Sequence, residues 1–487
     1  MIMMSTKSEL LGVASIIVLL FIAGCAVGPN YHRPSINSPE NFRFATIYTT
    51  NSFADLQWHD VFQDPVLQNL ICTALTNNYN LKQAIERVEQ ARYAAIAVRS
   101  ALFPQISYSG DLSRGRNSLD NAPFTLDGAT RTSALAGLNA AWELDFWGRI
   151  RRLSQAAQAQ YLATDEAQRS VAITLISDVA TAYYQLLELD QELQIQREAT
   201  NAYMGSYRIF YDRLVNGVAS KLETDRAAAA KYGAAAEIPQ LEIQIATTED
   251  QLNILLGHNP GPILRGSLTN QGEPEMEIPV GLPSDLLRRR PDILFAEQTL
   301  VAANATVGAS LANFFPQFSL TTFLGKASPE LSMFTGGAAN FWNVGVTLTG
   351  PIFQGGQLYA QYKGSKASFE EAKAAYQQSI LTGFQEVSDA LITRAKLSEV
   401  NTSYQQEVAA LSSSVDLATQ RYVNGKSSYY EVLEAQQELY PAQISQVQAQ
   451  TGEWLAVIQL YKALGGGWQS ADDPQTPGNY SRKLTNK

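Results

Sequence analysis

Apolar positions along this chain follow two rhythms, and the same order of rhythms occurs twice. From Leu81 to Leu102 the apolar residues Ala84, Ile85, Val88, Ala91, Ala95 and Val98 keep a helical spacing, and Pro104 ends the run. Alternation then takes over. Ile106, Tyr108 and Leu112 share one face, with Gln105, Ser107, Ser109, Asp111 and Ser113 on the other. After a polar loop, Gly115 to Thr130, a second alternating run sets Ala134, Ala136, Leu138, Ala140, Trp142, Leu144 and Phe146 against Ser133, Gly137, Asn139, Glu143 and Asp145. The pattern predicts a hairpin of two strands of roughly 10 residues each, long enough to cross an outer membrane when tilted. From Ile150 no breaker occurs until Asn216-Gly217, a stretch that spans roughly 100 Å as one helix. Within it Leu175, Val179, Ala182, Leu186, Leu189 and Leu193 keep the heptad spacing of a coiled coil. Asn216-Gly217 is a natural helix stop, because both residues accept the left-handed conformation. A return helix is predicted from Ser220 to Leu256, interrupted near Pro239.

The second half repeats the plan. A helix over Asp292 to Asn313 ends at Pro316. Alternation follows at Phe318, Leu320, Thr322 and Leu324, then at Trp342, Val344, Val346 and Leu348. A long helix over Leu358 to Val423 carries the heptad stripe Tyr404, Val408, Leu411, Val415, Ala418 and Tyr422. Asn424-Gly425 turns the chain, and Ser428 to Leu464 returns. Three landmarks recur in order. Phe103-Pro104-Gln105 returns at 315, and Arg213-Leu214-Val215-Asn216-Gly217 returns as Arg421-Tyr422-Val423-Asn424-Gly425. Leu256-Gly257 returns at 464, so the last two landmarks share an offset of 208. Two copies of one long unit are predicted.

Composition changes the picture in one respect: it removes other classes. The 487 residues carry a net charge of −10 and no basic cluster of the kind nucleic acid requires. A mean hydropathy of −0.13 is too low for a polytopic helical membrane protein. The one long apolar run, Leu10 to Ala23 behind Lys7, is short for a bilayer and reads as a signal-peptide core. It ends in Ala23-Gly24-Cys25, which resembles a lipobox with Cys25 as the acylated residue; an ordinary signal with an incidental cysteine is the alternative. Ala26 replaces the aspartate that retains lipoproteins at the inner membrane, so outer-membrane delivery is expected. With Cys25 lipidated, Cys72 has no disulfide partner and is expected to be a small buried residue.

Two hairpins make four strands, and four strands cannot close. An open edge in lipid leaves backbone groups unpaired at several kcal/mol each, so copies of the chain must share a barrel. Two copies give eight strands, filled by their own side chains; three give twelve, wide enough for a channel. The alanines at 156, 157, 159, 163 and 227–230 allow close helix approach in a curved wall beneath it.

Several stretches together resemble an outer membrane factor of the TolC/OprM type, in the NodT-like lipoprotein branch of efflux systems. They are Val27-Gly28-Pro29-Asn30-Tyr31, Leu102-Phe103-Pro104-Gln105 and Trp142-Glu143-Leu144-Asp145-Phe146-Trp147-Gly148-Arg149. Gly281-Leu282-Pro283-Ser284-Asp285-Leu286-Leu287, Arg289-Arg290-Pro291-Asp292, Ile352-Phe353-Gln354-Gly355-Gly356 and Val432-Leu433-Glu434-Ala435-Gln436 complete them. The resemblance implies a mixed fold, all-α plus transmembrane β. In that fold a trimeric 12-strand β-barrel is continuous with a long 12-helix α-barrel, with two structural repeats per chain. It implies a passive exit duct in the bacterial outer membrane with a long periplasmic extension. Its partners would be two further copies, a periplasmic adaptor protein, an inner-membrane pump of the RND type and outer-membrane lipid. No enzyme activity, nucleic acid, metal or cofactor is implied beyond the covalent lipid on Cys25. The expected division is a signal peptide at 1–24, a lipidated N-terminal segment and equatorial region at 25–75, and a first repeat at 76–282 with its hairpin at 105–146. A second repeat follows at 283–465, hairpin 317–353, then a disordered tail at 466–487.

Candidate site residues cluster at the helix turns Asn216, Gly217, Asn424 and Gly425. Glu431 and Glu434, three apart, share a helix face, and the resemblance places them in an acidic ring at the duct tip, with Tyr430 at its apolar constriction. They are otherwise ordinary exposed glutamates. The resemblance also pairs Glu223 with Tyr422 as a tip lock, although the arginine that reinforces it in the family is Ser427 here, beside Lys426. The equal alternative is that Tyr422 only ends the heptad stripe. Tyr108, Trp142, Phe341 and Trp342 form either aromatic girdles at the lipid interface or packing between strands. An enzyme finds no support in the scattered His32, His59 and His258, and Gly425-Lys426-Ser427 lacks the earlier glycine of a phosphate loop, having Gln420 there. A periplasmic coiled-coil scaffold has no use for the hairpins. As cargo, drugs fit the branch resemblance, and copper or silver would call for methionine clusters, whereas Met204, Met276 and Met333 are isolated. Type I protein secretion also uses such ducts, usually without a lipobox.

Overall fold

The structure, a computed structural model, describes residues 26–36, 38–39, 41–44, 56–116, 130–272, 281, 283–328, 334–336 and 339–467. The expected signal peptide, Cys25, the expected polar loop at 117–129 and the expected tail beyond 467 lie outside the described residues. In chain order the elements are α1 (Trp58–Val61), α2 (Pro65–Asn77), α3 (Tyr79–Ser100), β1 (Gln105–Arg116), β2 (Thr130–Leu144), α4 (Arg149–Val215) and α5 (Lys221–Leu256). Then come α6 (Pro283–Arg289), α7 (Pro291–Ala312), β3 (Gln317–Ser328), β4 (Asn340–Thr349), α8 (Gln357–Val423) and α9 (Tyr429–Ala463). The chain divides into two compact units. One comprises Met1–Ser35, Val88–Thr164 and Ala296–Tyr376; the other comprises Ile36–Arg87, Asp165–Phe295 and Gln377–Lys487.

The first unit holds an antiparallel sheet in the order β1-β2-β3-β4. Its register makes the alternation of the sequence into two faces. Tyr108, Leu138, Leu324 and Trp342 lie on one line across all four strands, and Ile106, Ala140, Thr322 and Val344 lie on the next line of the same face. The large apolar side chains there are exposed: Tyr108 at 88%, Trp342 at 72% and Val346 at 70%. The opposite face carries Ser107, Ser109, Asn139, Thr321, Asn343 and Thr347, and Asn139 Nδ2 donates to Ser109 Oγ at 2.8 Å. Gly137 and Gly325 face each other across β2 and β3. A Cβ on Gly137 would meet the Phe323 ring at 2.6 Å and the Leu324 carbonyl at 2.7 Å, so the strands close only because both positions are glycine.

The junction from β2 into α4 explains the Trp142–Arg149 stretch. Asp145 caps the helix, its carboxylate accepting from the Ile150 amide at 3.0 Å and the Arg151 amide at 2.9 Å. Arg149 grips Glu143 at 2.6 Å and 3.1 Å in a two-point pair, fixing the strand end to the helix start. The Trp147 indole donates to the Pro316 carbonyl at 2.8 Å and stacks on Phe315 at 4.6 Å. An N-terminal strap lies against this junction. The Val27 amide donates to the Trp147 carbonyl at 2.9 Å. Buried Arg152 donates to the carbonyls of Val27 and Gly28 and to Asn30 Oδ1, and Arg33 pairs with buried Glu297.

The second unit has an apolar core formed largely by α4. Leu175, Val179, Ala182 and Leu186 of the heptad stripe are buried, with Tyr183, Tyr184, Leu252, Leu256 and Ile458 around them. The matching stripe on α8 is only half-buried apart from Ala418. Tyr183 donates to the Asp64 carboxylate at 2.6 Å, and Asp64 also caps α2 through the Val66 amide at 2.7 Å. Arg290 binds Asp292 at 2.7 Å and Glu386 at 2.6 Å, and its Nη1 donates to the Ala463 carbonyl at 2.7 Å, covering the C-terminus of α9.

Two expectations are corrected. Pro239 does not interrupt the return helix, because α5 runs through it from Lys221 to Leu256; α9 likewise contains Pro441. A proline removes one ladder bond and kinks a helix at about 3 kcal/mol, and a helix this long, packed on one side, absorbs that. Cys72 is exposed, not buried. The buried stripe of α2 is Leu67, Ile71 and Ala74, and Cys72 lies one residue, about 100°, off it.

Candidate functional site

Both long helices stop in the same way. At the end of α4 the Gly217 amide donates to the Leu214 carbonyl at 2.9 Å and the Val218 amide to the Arg213 carbonyl at 2.8 Å. At the end of α8 the Gly425 amide donates to Tyr422 and the Lys426 amide to Arg421, each at 2.9 Å. This Schellman pair needs a left-handed residue, which Gly217 (φ 73°) and Gly425 (φ 68°) supply. Asn216 and Asn424 each return Nδ2 to the carbonyl four residues back, at 2.7 Å.

Beyond the turns the two ends differ. Ser220 and Glu223 form a capping box on α5. Ser220 Oγ accepts from the Glu223 amide at 3.3 Å, and Glu223 Oε2 accepts from the Ser220 amide at 2.8 Å. These bonds, with Arg213 nearby, hold the Glu223 carboxyl below the usual carboxylate range. Ser428 starts α9 without a side-chain cap bond, and the Ser427 hydroxyl is buried without a partner among the described residues. Glu431 turns instead to Arg421, 3.4 Å away. Glu434, one turn further along the same face, is exposed, with no hydrogen bond or ion pair among the described residues. The Arg226 guanidinium of α5 lies over the Tyr430 ring at 5.5 Å, joining α5 to α9.

Tyr422 and Glu223 are not brought together within one chain. The Tyr422 ring meets Tyr429 edge-on at 4.8 Å, while Glu223 is engaged by Ser220. Tyr429 is the hub of this end. It is buried, packs edge-on against Phe210 at 5.5 Å, and its hydroxyl lies 3.2 Å from Ser206 Oγ. Ser206 Oγ is also 3.2 Å from Gln436 Oε1, and the Tyr203 hydroxyl donates to the Gln436 carbonyl at 3.3 Å. One face of α9 is thereby fastened to α4 over about two turns. The sequence reading missed Arg421, Arg226, Tyr429, Ser206 and Phe210. Arg421 was open to discovery, because Arg213 and Arg421 occupy the same place in the repeated turn. The Ser206–Tyr429 contact joins residues 223 apart and leaves no local signal.

On the sheet, Tyr108 and Trp342 share a register line on the apolar face, and Trp142 lies four residues along β2 from that line, about 14 Å away. The Trp142 indole donates to the Leu102 carbonyl at 2.9 Å. Phe341 does not join them. As the neighbour of Trp342 it points to the opposite face, where its ring packs on Phe323 at 5.7 Å.

Set beside known proteins, residues 70–258 and 282–466 match the family model described as outer membrane efflux protein. The toluene efflux pump outer membrane protein TtgC of Pseudomonas putida is 36% identical over 471 residues, 95% of this chain and 96% of its own length. SilC of Salmonella typhimurium, named a probable outer membrane lipoprotein, is 33% identical over 95% of this chain and 99% of its own. The cation efflux system protein CusC of Escherichia coli K12 is 32% identical over 92% of this chain and 98% of its own. A solved structure of CusC, described by its transmembrane channel formation, is similar with a TM-score of 0.80 at 32% identity, covering 91% of this chain and all of that one.

Proposed function

The chain belongs to the outer membrane efflux protein family, and from that premise we propose that three copies form the exit duct of a tripartite efflux pump. The chain is a passive outer-membrane efflux channel component and not an enzyme. The observation that carries the proposal is the sheet. It has an apolar exposed face, a polar face, and two edges, β1 and β4, without a partner strand among the described residues. In lipid those edges must be paired. Three chains supply twelve strands, with the apolar face toward lipid and the serines, threonines and asparagines toward a water-filled bore. The helix pairs of the two repeats then supply twelve helices for a periplasmic tube.

In this reading Tyr108, Trp142 and Trp342 meet the lipid interface at two levels, and Phe341 lines the bore. The strap sets Ala26 against Gly148 at the end of the β2–α4 junction. Acyl chains on Cys25, the residue before it, would enter the leaflet beside the apolar face. The turns at Gly217 and Gly425 form the periplasmic tip, where the duct meets its adaptor and the RND-type pump. Tyr430, Glu431 and Glu434 of three chains surround the mouth there. The tip lock of Glu223 with Tyr422 forms in this reading between neighbouring chains, because within one chain each has another partner, and replacing both (Tyr422→Phe with Glu223→Gln) is expected to raise the conductance of the closed state. Relatives named for toluene and for cation export match to similar extents, as suits a wall that passes whatever the pump delivers.

Single-channel recording of the purified protein in planar bilayers tests this reading. Stepwise ion currents are expected, and a protein that binds membranes without any current would be a scaffold instead.

A further inference from the structure

Midway along α4, two carboxylates face α9. Glu188 and Glu192 stand four residues apart on one helix face. Glu192 is 7% exposed and accepts one hydrogen bond, from Gln448 Nε2 at 2.8 Å. Glu188 is half-buried and faces Thr451, whose hydroxyl is fully enclosed and closes no hydrogen bond of normal length. Gln448 and Thr451 are three residues apart on α9, so the four side chains form one polar patch in the seam between two helices. Its surroundings are apolar. Tyr184 stacks on Trp454 at 4.9 Å, and Leu186, Leu187, Val447 and Ile458 are buried.

No cation from α4, α9 or any other described element acts on either carboxylate; the one charged group acting on Glu188 is Glu192. Asp190, between them in sequence, is turned away to Arg265, with Nη2 to Oδ1 at 2.9 Å. Two carboxylates without a counter-ion in such a seam cannot both stay ionised at little cost. Burial first, and then repulsion from Glu192, pushes Glu188 up to about 7 against a smaller downward pull from the Thr451 hydroxyl; burial raises Glu192 as well, against the Gln448 amide.

We propose that Glu188, Glu192, Gln448 and Thr451 form a proton-binding clamp that couples α4 to α9. With the proton bound, the Glu188 carboxyl donates to the Thr451 hydroxyl or to Glu192, and the seam is satisfied. When the proton leaves to solvent, two anions face each other and the seam loosens. The folded-state value lies above that of a free carboxyl, so this contribution to stability is complete below about pH 4.5 and is lost as pH rises through about 7. The same helix, α9, carries Tyr430, Glu431 and Glu434, so a looser seam frees the turn; this last step rests on the duct reading above.

Thermal unfolding of the detergent-purified protein, followed by tryptophan fluorescence between about pH 5.5 and 8.5, tests the clamp without requiring a channel. The wild type is expected to lose thermal stability in one descending step that levels off near pH 7, and Glu188→Gln to show no such step. Glu192→Gln, which removes the repulsion but keeps the titrating group, is expected to retain the step, levelling off about one pH unit lower. A wild type without the step, or Glu188→Gln with an unchanged one, overturns the proposal. In planar bilayers the wild-type open fraction should rise severalfold across the same step and that of Glu188→Gln should not. A melting step with no current in any variant counts against the duct and leaves the clamp standing.

Discussion

In the proposed duct, the charge at the mouth is decided by which carboxylates are already engaged. Glu431 lies beside Arg421 at 3.4 Å, so Glu434 is the freer anion. Glu434→Gln is expected to reduce the cation preference of single channels more than Glu431→Gln. Arg421→Ala, which releases Glu431, should increase it. An equal loss for the two glutamines would contradict this account. Stability should hardly change in any of them, because an exposed pair of this kind is worth about 0–1 kcal/mol. Tyr429 is different, being buried against Phe210 and near Ser206. Tyr429→Phe removes the hydroxyl but keeps the ring, and a loss of about 1 kcal/mol in chemical denaturation is expected. Tyr429→Ala should cost about 3–5 kcal/mol through the cavity it leaves. The glutamates of the tip were visible in the sequence as two acids beside a glycine turn. Their pairing was not, since it depends on where Arg421 stands after the turn is made.

At the scale of elements, periodicity was a sufficient guide wherever one face is buried or apolar. The alternation at Ile106, Tyr108 and Leu112 and at Trp342, Val344 and Val346 marks one continuous face of the sheet. Charge placed on the two faces should therefore separate them. Leu324→Arg, on the apolar face, is expected to cost about 2–4 kcal/mol if it lies near the bilayer midplane, whereas Thr321→Arg on the polar face should be tolerated. The fraction of heat-resistant oligomer on a gel reads both. Gly137→Ala is expected to disturb the pairing of β2 with β3, because its Cβ would press on the β3 backbone as well as on the Phe323 ring. Reduced strand signal in circular dichroism checks this. The ends of the long helices were legible to within a residue or two, because Gly217 and Gly425 terminate helices by a fixed pair of bonds. Pro239 misled because local propensity yields to packing in a long helix, and Cys72 because a small apolar residue carries no sign of which face it takes. Phe341 stood beside Trp342 in the sequence and was grouped with it, although neighbours on a strand point apart.

For the whole molecule, the 208-residue offset of the helix turns has a mechanical sense in the duct. Each half supplies one hairpin and one helix pair, neither of which closes a wall. The same Schellman bonds recur at Gly257 and Gly465, where the return helices end, again 208 residues apart. The tips depart from this regularity. Glu223 is drawn into a cap in the first half, while Glu431 in the second half is drawn to Arg421. In the proposed duct, what closes the barrel was legible only as a necessity, since four strands whose two edges are unpaired among the described residues require partners from other copies. The central claim is therefore the number of chains that share one barrel. Native mass spectrometry of the protein released from lipid nanodiscs measures it directly. The account predicts a single species of three chains that persists under gentle activation. A species of one, two or four chains would contradict it.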